Sequence, residues 1–142
     1  MKREFSAGGI VLRQAQDKYS KNKCEVLLTQ NSSSHYWGFP KGNVGEGETT
    51  KEAAVREVSE EAGVKAEIIE KVGDSKYIYT HPETKEKVFK IVTMFLMKYI
   101  SGNLEDHDWE MEEAKWFSPE QALKTLSFSQ DRKLLKQALE ML

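Results

Sequence analysis

Residues 42–64 read GNVGEGETTKEAAVREVSEEAGV, and this stretch divides into a glycine-rich half and a helical half. The helical half, Thr49–Ala62, has the periodicity of an amphipathic helix, because small or apolar residues recur among charged ones at helical spacing. Thr49 or Thr50 predicts the N-cap, and Gly63 stands where a C-cap glycine belongs. The small or apolar positions are Ala53, Ala54, Val55, Val58 and Ala62.

Three glutamates of this helix, Glu57, Glu60 and Glu61, share one face, since residues three and four apart are neighbours on a helix surface. Carboxylates this close repel one another unless a cation lies among them. Oxygen ligands favour hard ions, Mg²⁺ first and Mn²⁺ second. The glycine-rich segment lets the backbone before the helix turn tightly and approach an ion or a phosphate. Spacing alone also fits a solvated acidic face, so both interpretations stay open at this point.

Outward from this stretch, short apolar runs alternate with polar turns. A polar loop is predicted over 13–23, and residues 35–42 are too short to form an element of their own. The order β-β-helix-β-β-β-helix-helix lacks strict βαβ alternation and predicts a mixed α/β sandwich. The predicted strands are 5–12, 24–29, 65–80 (as one or two strands), 87–99 and 114–117. Two further helices are predicted, one beginning at Pro119 and one over 129–142.

Composition limits the class of protein. The 142 residues suffice for one domain with its own core and are too few for two. Lys and Arg number 21 against 23 Asp and Glu, so no global field is available to hold duplex nucleic acid or an anionic membrane. The single cysteine, Cys24, predicts a reducing compartment, and no apolar run predicts a signal peptide or a membrane span. We therefore expect a cytoplasmic, soluble protein.

The spacing of fixed residues across 42–64 resembles the Nudix box at every defined position. The flanking strands and the C-terminal helices also look like the Nudix domain, so the resemblance covers nearly all of residues 1–142. It implies one α/β/α sandwich with a mixed sheet, and a hydrolase that uses divalent ions to cleave a nucleoside diphosphate linked to another group. The matching positions are Gly42, Glu48, Arg56, Glu57, Val58, Glu60, Glu61, Gly63 and Val64.

Carried over by position, the resemblance implies that the three helix glutamates are metal ligands, together with the backbone carbonyl of Lys41. Arg56 would pair with Glu48 and brace the loop against the helix. Bound ions would neutralise the diphosphate, lower the pKa of a bound water and orient it for attack on phosphorus.

The resemblance leaves two candidates for the catalytic base. One is Glu57 on the helix. The other is Glu110, whose distance from Trp116 makes it look like the family's loop carboxylate, as metal ligand or as base. Plain solvation of a loop residue also fits Glu110, and both candidates stay open.

Segments outside the box, at 5–9, 37–42, 77–79 and 89–90, together look like the diadenosine polyphosphate hydrolase branch. Enzymes of that branch cut diadenosine tetraphosphate asymmetrically, to ATP and AMP. The substrate that the resemblance implies is therefore a small nucleotide, handled by a monomer or a weak homodimer.

A physical reason can be given for each substrate contact. Tyr77 and Tyr79 alternate onto one strand face and are placed to stack an adenine, although β-forming residues that cover a sheet have the same pattern. Lys41, Lys87 and Lys90 are candidate partners of a long phosphate chain, against the alternative that they only aid solubility.

Three other functions stay open. The first is pyrophosphohydrolysis of nucleoside triphosphates, oxidised guanine nucleotides included, or of an RNA 5′ end. The second is diphosphoinositol polyphosphate hydrolysis, which would need a pocket richer in arginine than this chain offers. The third is a sensor that binds nucleotide without cutting it; the intact set of box glutamates argues against that reading.

Overall fold

The structure is a computed structural model that describes residues 1–15 and 23–142. The strands within these ranges are β1 Lys2–Gln14, β2 Cys24–Asn31, β3 Trp37–Gly38, β4 Lys41–Asn43, β5 Val64–Thr80, β6 Lys87–Gly102 and β7 Met111–Phe117. The helices are α1 Thr50–Ala62, α2 Pro119–Thr125 and α3 Ser129–Glu140, with a 3₁₀ turn at Leu104–Asp106. None of these helices has the length and apolar character needed to cross a bilayer.

Strand β1 lies at the centre of the sheet. It pairs in parallel with β6 along almost its whole length, from Lys2 opposite Val88 to Leu12 opposite Lys98. It pairs with β2 only at its far end, over Leu12–Gln14. The two strands therefore separate towards the start of β1, and β4 pairs with β1 there, opposite residues 6–8. This gap places the residues that enter the glycine-rich segment beside the middle of the sheet.

Alternating side chains of the sheet contribute to two separate hydrophobic layers, as the period of two in a strand requires. Ala7 and Val11 of β1 pack with α1 on one face. Ile10 and Leu12 pack with α2 and α3 on the other face. The prediction of an α/β/α sandwich with a mixed sheet is confirmed.

The structure corrects two details of the predicted elements and decides a third, the number of strands over 65–80. The predicted loop at 13–23 begins too early, since Arg13 and Gln14 belong to β1; residues 16–22 lie outside the described part of the chain. Residues 65–80 form one strand with three register shifts, which bend it. Residues 35–42 do contain strands, because β3 and β4 are fixed by pairing with β2 and β1 and not by any pattern of their own.

A substitution at Gly8 tests the close approach of β4 to β1. A Cβ atom at Gly8 would lie 2.3 Å from the Pro40 carbonyl oxygen and 2.5 Å from Lys41 Cβ, so backbone must move to accept it. We expect Gly8→Ala to lower the free energy of unfolding by about 1–3 kcal/mol, the usual cost of overpacking. Urea unfolding measures this.

The matched control is Gly38→Ala, whose Cβ would meet only Asp131 Oδ2 at 3.5 Å, an ordinary contact. It should change stability by no more than about 0.5 kcal/mol. Equal effects of the two substitutions would contradict the assigned strand contact.

Candidate functional site

Helix α1 begins and ends where its capping residues require. The Thr49 side chain accepts a hydrogen bond from the Glu52 N–H, and the Glu52 carboxylate accepts one from the Thr49 N–H. Gly63 ends the helix in the left-handed conformation, with φ of 74°. These caps fix the start and end of the helix, and with them the positions of its three glutamates.

The Arg56 guanidinium joins the glycine-rich loop to the helix. Its Nε and Nη2 donate to the two oxygens of Glu48 at 2.8 and 3.0 Å, and Nη2 also donates to the Asn43 carbonyl at 3.0 Å. Its Nη1 donates to Glu57 at 2.8 Å and to Glu60 at 3.0 Å. These bonds to Arg56 lower the pKa of Glu48 to about 2 and raise the pKa of Arg56 itself. The predicted pairing of Arg56 with Glu48 is present.

Glu57 lies directly over Gly42. A Cβ atom at position 42 would come within 2.2 Å of the Glu57 carboxyl group, so only glycine leaves room for this contact. Burial raises the pKa of Glu57, and the hydrogen bond and charge of Arg56 oppose that rise. The carboxylate is thus held against the backbone of β4.

Glu61 is a buried carboxyl group, with 6% of its surface exposed. One oxygen accepts a hydrogen bond from the Lys41 N–H at 3.0 Å. Burial raises the pKa of Glu61 to about 8, and the charges of Glu57, Asp108 and Glu110 add to the rise. Such a group gains more than an exposed one from a nearby cation.

The loop that carries Glu110 is fastened at two points. The Asp108 N–H donates to the Glu60 carbonyl at the end of α1, at 3.0 Å. The Ser32 N–H and hydroxyl both donate to the Glu110 carbonyl at 2.9 Å. Glu110 is held close enough to raise the pKa of Glu57 and Glu61 by charge repulsion.

The oxygen ligands of this site fit a hard divalent cation, although the carboxylates do not converge on a single point that an ion would occupy. Among the described residues, no three carboxylate, imidazole or thiol groups come together closely enough to hold an ion. Glu57 and Glu60 are instead bound to Arg56, so an ion would compete with Arg56 for their oxygens. The ligands on offer are all oxygens, as Mg²⁺ prefers, and the buried Glu61 has the greatest need of a cation.

The Lys41 carbonyl is placed to join this set. The Lys41 N–H points to Glu61. In an extended strand the N–H and the C=O of one residue point to the same side. This is why one residue of an antiparallel pair can use both groups to bond the same residue of the partner strand. The carbonyl therefore lies on the α1 side of β4.

A cleft runs from the carboxylate of Glu61 on α1 to the face of the sheet that α3 covers. It has two adjoining parts, of ≈ 250 Å³ and ≈ 450 Å³, which share Lys41 and Asp131. The smaller part reaches Glu61, and the larger part reaches Tyr77. The rings of Tyr36 and Phe128, which also line both parts, meet edge to face with centroids 4.9 Å apart.

Two of the predicted substrate residues, Lys41 and Tyr77, line this cleft. Tyr77 lies opposite Lys90 on β6, and Lys90 lies opposite Glu4 on β1, so the three share the face that α3 covers. Burial lowers the pKa of Lys90, while the charge of Glu4 opposes this and that of Lys41 adds to it. Tyr79 shares the same face, but its hydroxyl donates to Glu4, which raises the pKa of Tyr79 to about 12.

Lys87 is not brought to the cleft. It lies opposite Thr80 at the far end of β5, three residues from Lys90, and so projects from the other face of the sheet. It lines a separate hollow together with Met1, Lys2 and Glu86. We leave Lys87 out of the substrate contacts for this reason.

Several residues of the cleft lining were not predicted from the sequence, among them Tyr36, Ser75, Phe128 and Asp131. They come from three distant segments, and no periodicity or spacing connects them. One signal was available at Phe128, which occupies the N-cap of α3 and makes no side-chain capping bond, although serines stand on both sides of it.

Comparisons with known proteins agree with this geometry. The model of the NUDIX domain matches residues 3–138. The crystal structure of a Caenorhabditis elegans Ap4A hydrolase superposes with a TM-score of 0.74 at 28% sequence identity, covering 97% of this chain and 96% of that one.

Two sequence relatives extend the comparison. A Mycobacterium tuberculosis protein that carries the name mutator protein MutT4 is 28% identical over 140 residues, which is 98% of this chain and 56% of the relative. An 8-oxo-(d)GTP phosphatase of Mycolicibacterium smegmatis is 29% identical over 112 residues, 79% of this chain and 33% of the relative. The chain thus spans 56% and 33% of the lengths of these two proteins.

The family model covers nearly the whole chain, and the fold agrees with a solved relative from end to end. This chain therefore belongs to the Nudix hydrolase family.

Proposed function

We propose that this protein hydrolyses dinucleoside polyphosphates, with diadenosine tetraphosphate cleaved to ATP and AMP, in the presence of Mg²⁺. One observation carries the proposal: the cleft is continuous from the carboxylate cluster at Glu61, past the cationic Lys41, to the aromatic side chains around Tyr77. A long substrate with phosphates in the middle and bases at the ends matches a cleft of this composition.

Lys41 in the lining of the cleft and Lys90 on β6 support a polyphosphate rather than a single phosphate. Lys41 and Lys90 are close enough for the charge of Lys41 to lower the pKa of Lys90. Two neighbouring ammonium groups repel each other, and an anion between them relieves that repulsion. The likeness to the C. elegans Ap4A hydrolase over nearly the full length of both chains supports the same substrate class.

The residues that would hold the divalent ion are Glu57, Glu60, Glu61 and the carbonyl of Lys41. A bound ion would neutralise the diphosphate and make a water molecule nucleophilic near neutral pH. Arg56 keeps the loop and the helix in fixed relation, which positions the ligands.

Glu110 is the better of the two candidates for the base. The Glu57 carboxylate accepts a hydrogen bond from Arg56 at 2.8 Å and lies against Gly42, so it is already engaged within the protein, although burial raises its pKa. The Glu110 loop is anchored through its backbone, so that its exposed side chain stays free to accept a proton from water.

A second function is favoured by the sequence relatives. The names of two of them refer to mutator and 8-oxo-(d)GTP phosphatase proteins. Pyrophosphohydrolysis of an oxidised nucleoside triphosphate would use the same carboxylates, with one base in the aromatic part of the cleft.

A substrate panel distinguishes these functions. We expect the highest kcat/KM with diadenosine tetraphosphate, giving ATP and AMP, against oxidised dGTP, ADP-ribose, a diphosphoinositol polyphosphate and 5′-triphosphate RNA. Glu60→Gln and Glu61→Gln should each lower kcat by about a hundredfold or more, since each removes a metal ligand. Chromatographic separation of the products measures both expectations.

The results of this panel distinguish the candidate functions from one another. Preference for a triphosphate with release of pyrophosphate would replace the first function by the second. Wild-type turnover by both glutamine variants would refute the metal assignment, and binding without turnover of any substrate would indicate a sensor.

Glu61→Gln should also stabilise the metal-free protein at alkaline pH. The folded protein holds a proton on Glu61 up to about pH 8, whereas the unfolded chain releases it near 4.5. Wild-type stability therefore falls as pH rises from 4.5 to about 8, and the loss is complete above that. The variant has no proton to lose at this position.

Melting temperatures measured with chelator present check this expectation. The variant should melt a few degrees above wild type at pH 9, and the difference should vanish towards pH 4.5. A constant difference across that range would show that the Glu61 carboxyl is not desolvated as described.

The aromatic part of the cleft should contribute to substrate binding. Tyr77→Ala and Phe128→Ala should each raise KM by about five- to a hundredfold, the range for loss of one base–aromatic stack, with a smaller change in kcat. The control is Ile78→Ala: Ile78 is 56% exposed, neighbours Tyr77 and lies on the other face of the strand. Steady-state kinetics should show an unchanged KM for the control.

A further inference from the structure

Two polar side chains inside the cleft lack a hydrogen-bond partner. Ser75 and Asp131 are 8% and 9% exposed, so each is more than nine-tenths buried. The Ser75 hydroxyl is out of contact with solvent and has no partner. No donor among residues 1–15 and 23–142 makes a hydrogen bond or a close ion pair with the Asp131 carboxylate. A buried polar group without a partner is costly, and one such group already calls for an explanation.

Among the described residues, no hydrogen bond accounts for the burial of Asp131. It stands in the first turn of α3, where the helix dipole favours a carboxylate, but the N-cap of that helix is Phe128 and makes no side-chain capping bond. The neighbouring Arg132 donates to the Leu126 carbonyl at 2.7 Å. Burial raises the pKa of Asp131, and the charges of Lys41 and Arg132 oppose that rise. The dipole and these charges offset part of the cost of burial, and no donor of the protein binds the carboxylate directly.

Both groups line the larger part of the cleft, beside the rings of Tyr77 and Phe128. The rings offer flat apolar surfaces, and the Asp131 carboxylate offers a hydrogen-bond acceptor. The Ser75 hydroxyl is out of contact with solvent, so a ligand in the cleft does not reach it. Adenine carries a donor that matches Asp131, its 6-amino group.

We propose that Asp131 recognises the edge of an amino-bearing purine held at Tyr77 and Phe128, its carboxylate accepting a hydrogen bond from the exocyclic amine. Asp131 thereby sets base specificity. This inference rests on the proposed function in one respect, that the larger part of the cleft takes a nucleobase. It explains why a carboxylate without a protein donor lines the cleft there.

The test uses a nucleotide that the enzyme does not cleave. Titration calorimetry with the full chain compares AMP with purine riboside 5′-monophosphate, which lacks the 6-amino group. Wild type should bind AMP about ten- to a hundredfold more tightly, since a site built to bind an N–H group leaves its carboxylate unpaired with the analogue.

Variants assign the discrimination to Asp131. Asp131→Ala should reduce the ratio of the two Kd values to about one. Asp131→Asn keeps the shape of the side chain and loses its charge, so it should also reduce the ratio, and it tests the proposal even where Asp131→Ala fails to fold. The control is Asp74→Asn. Asp74 is next to Ser75 in the chain but lies on the other face of β5, where its carboxylate forms an ion pair with Lys71.

Equal binding of the two nucleotides by wild type would overturn the proposal. So would a ratio that both variants retain, or a change confined to melting temperature. Because AMP binding does not require turnover, absence of diadenosine tetraphosphate hydrolysis would count against the proposed function and leave this result unaffected.

Discussion

The site depends on one guanidinium group held between a loop and a helix. Arg56 binds both oxygens of Glu48 and the Asn43 carbonyl on the loop side, and Glu57 and Glu60 on the helix side. Charge-assisted bonds of this kind are short and directional, so the loop cannot shift relative to α1 without breaking several of them at once. The same guanidinium balances two of the carboxylates that a divalent ion would otherwise balance.

The sheet determines what this cluster can reach. Because β1 and β2 pair only at one end, β4 lies between the two helical layers. Its residue Lys41 there contacts Glu61 of helix α1. The same residue lines the cleft on the α3 face. A single short strand thus connects a cluster of carboxylates on one side of the sheet with an aromatic cavity on the other, which a polyphosphate substrate would need.

How far the sequence could predict this arrangement differs between its parts. Helix α1 and its caps follow from local pattern, because helical periodicity and capping are properties of neighbouring residues. The charge of Glu110 reaches Glu57 and Glu61, and its part as metal ligand or base stays a prediction from the family resemblance. Lys87 and Lys90 are both predicted partners of a phosphate chain, yet an odd separation along one strand puts their side chains on opposite faces.

Local sequence is enough to predict three features of residues 42–64: which glutamates share a helix face, which arginine can brace the loop, and where the helix begins and ends. Those are relations among residues a few positions apart, and they are set by backbone geometry. The shared cleft of Ser75, Phe128 and Asp131 follows only from the folded chain, since these residues lie on different elements that meet through sheet register and helix packing. Burial, which raises the pKa of Glu61 and leaves Asp131 unpaired, likewise exists only once the layers have packed.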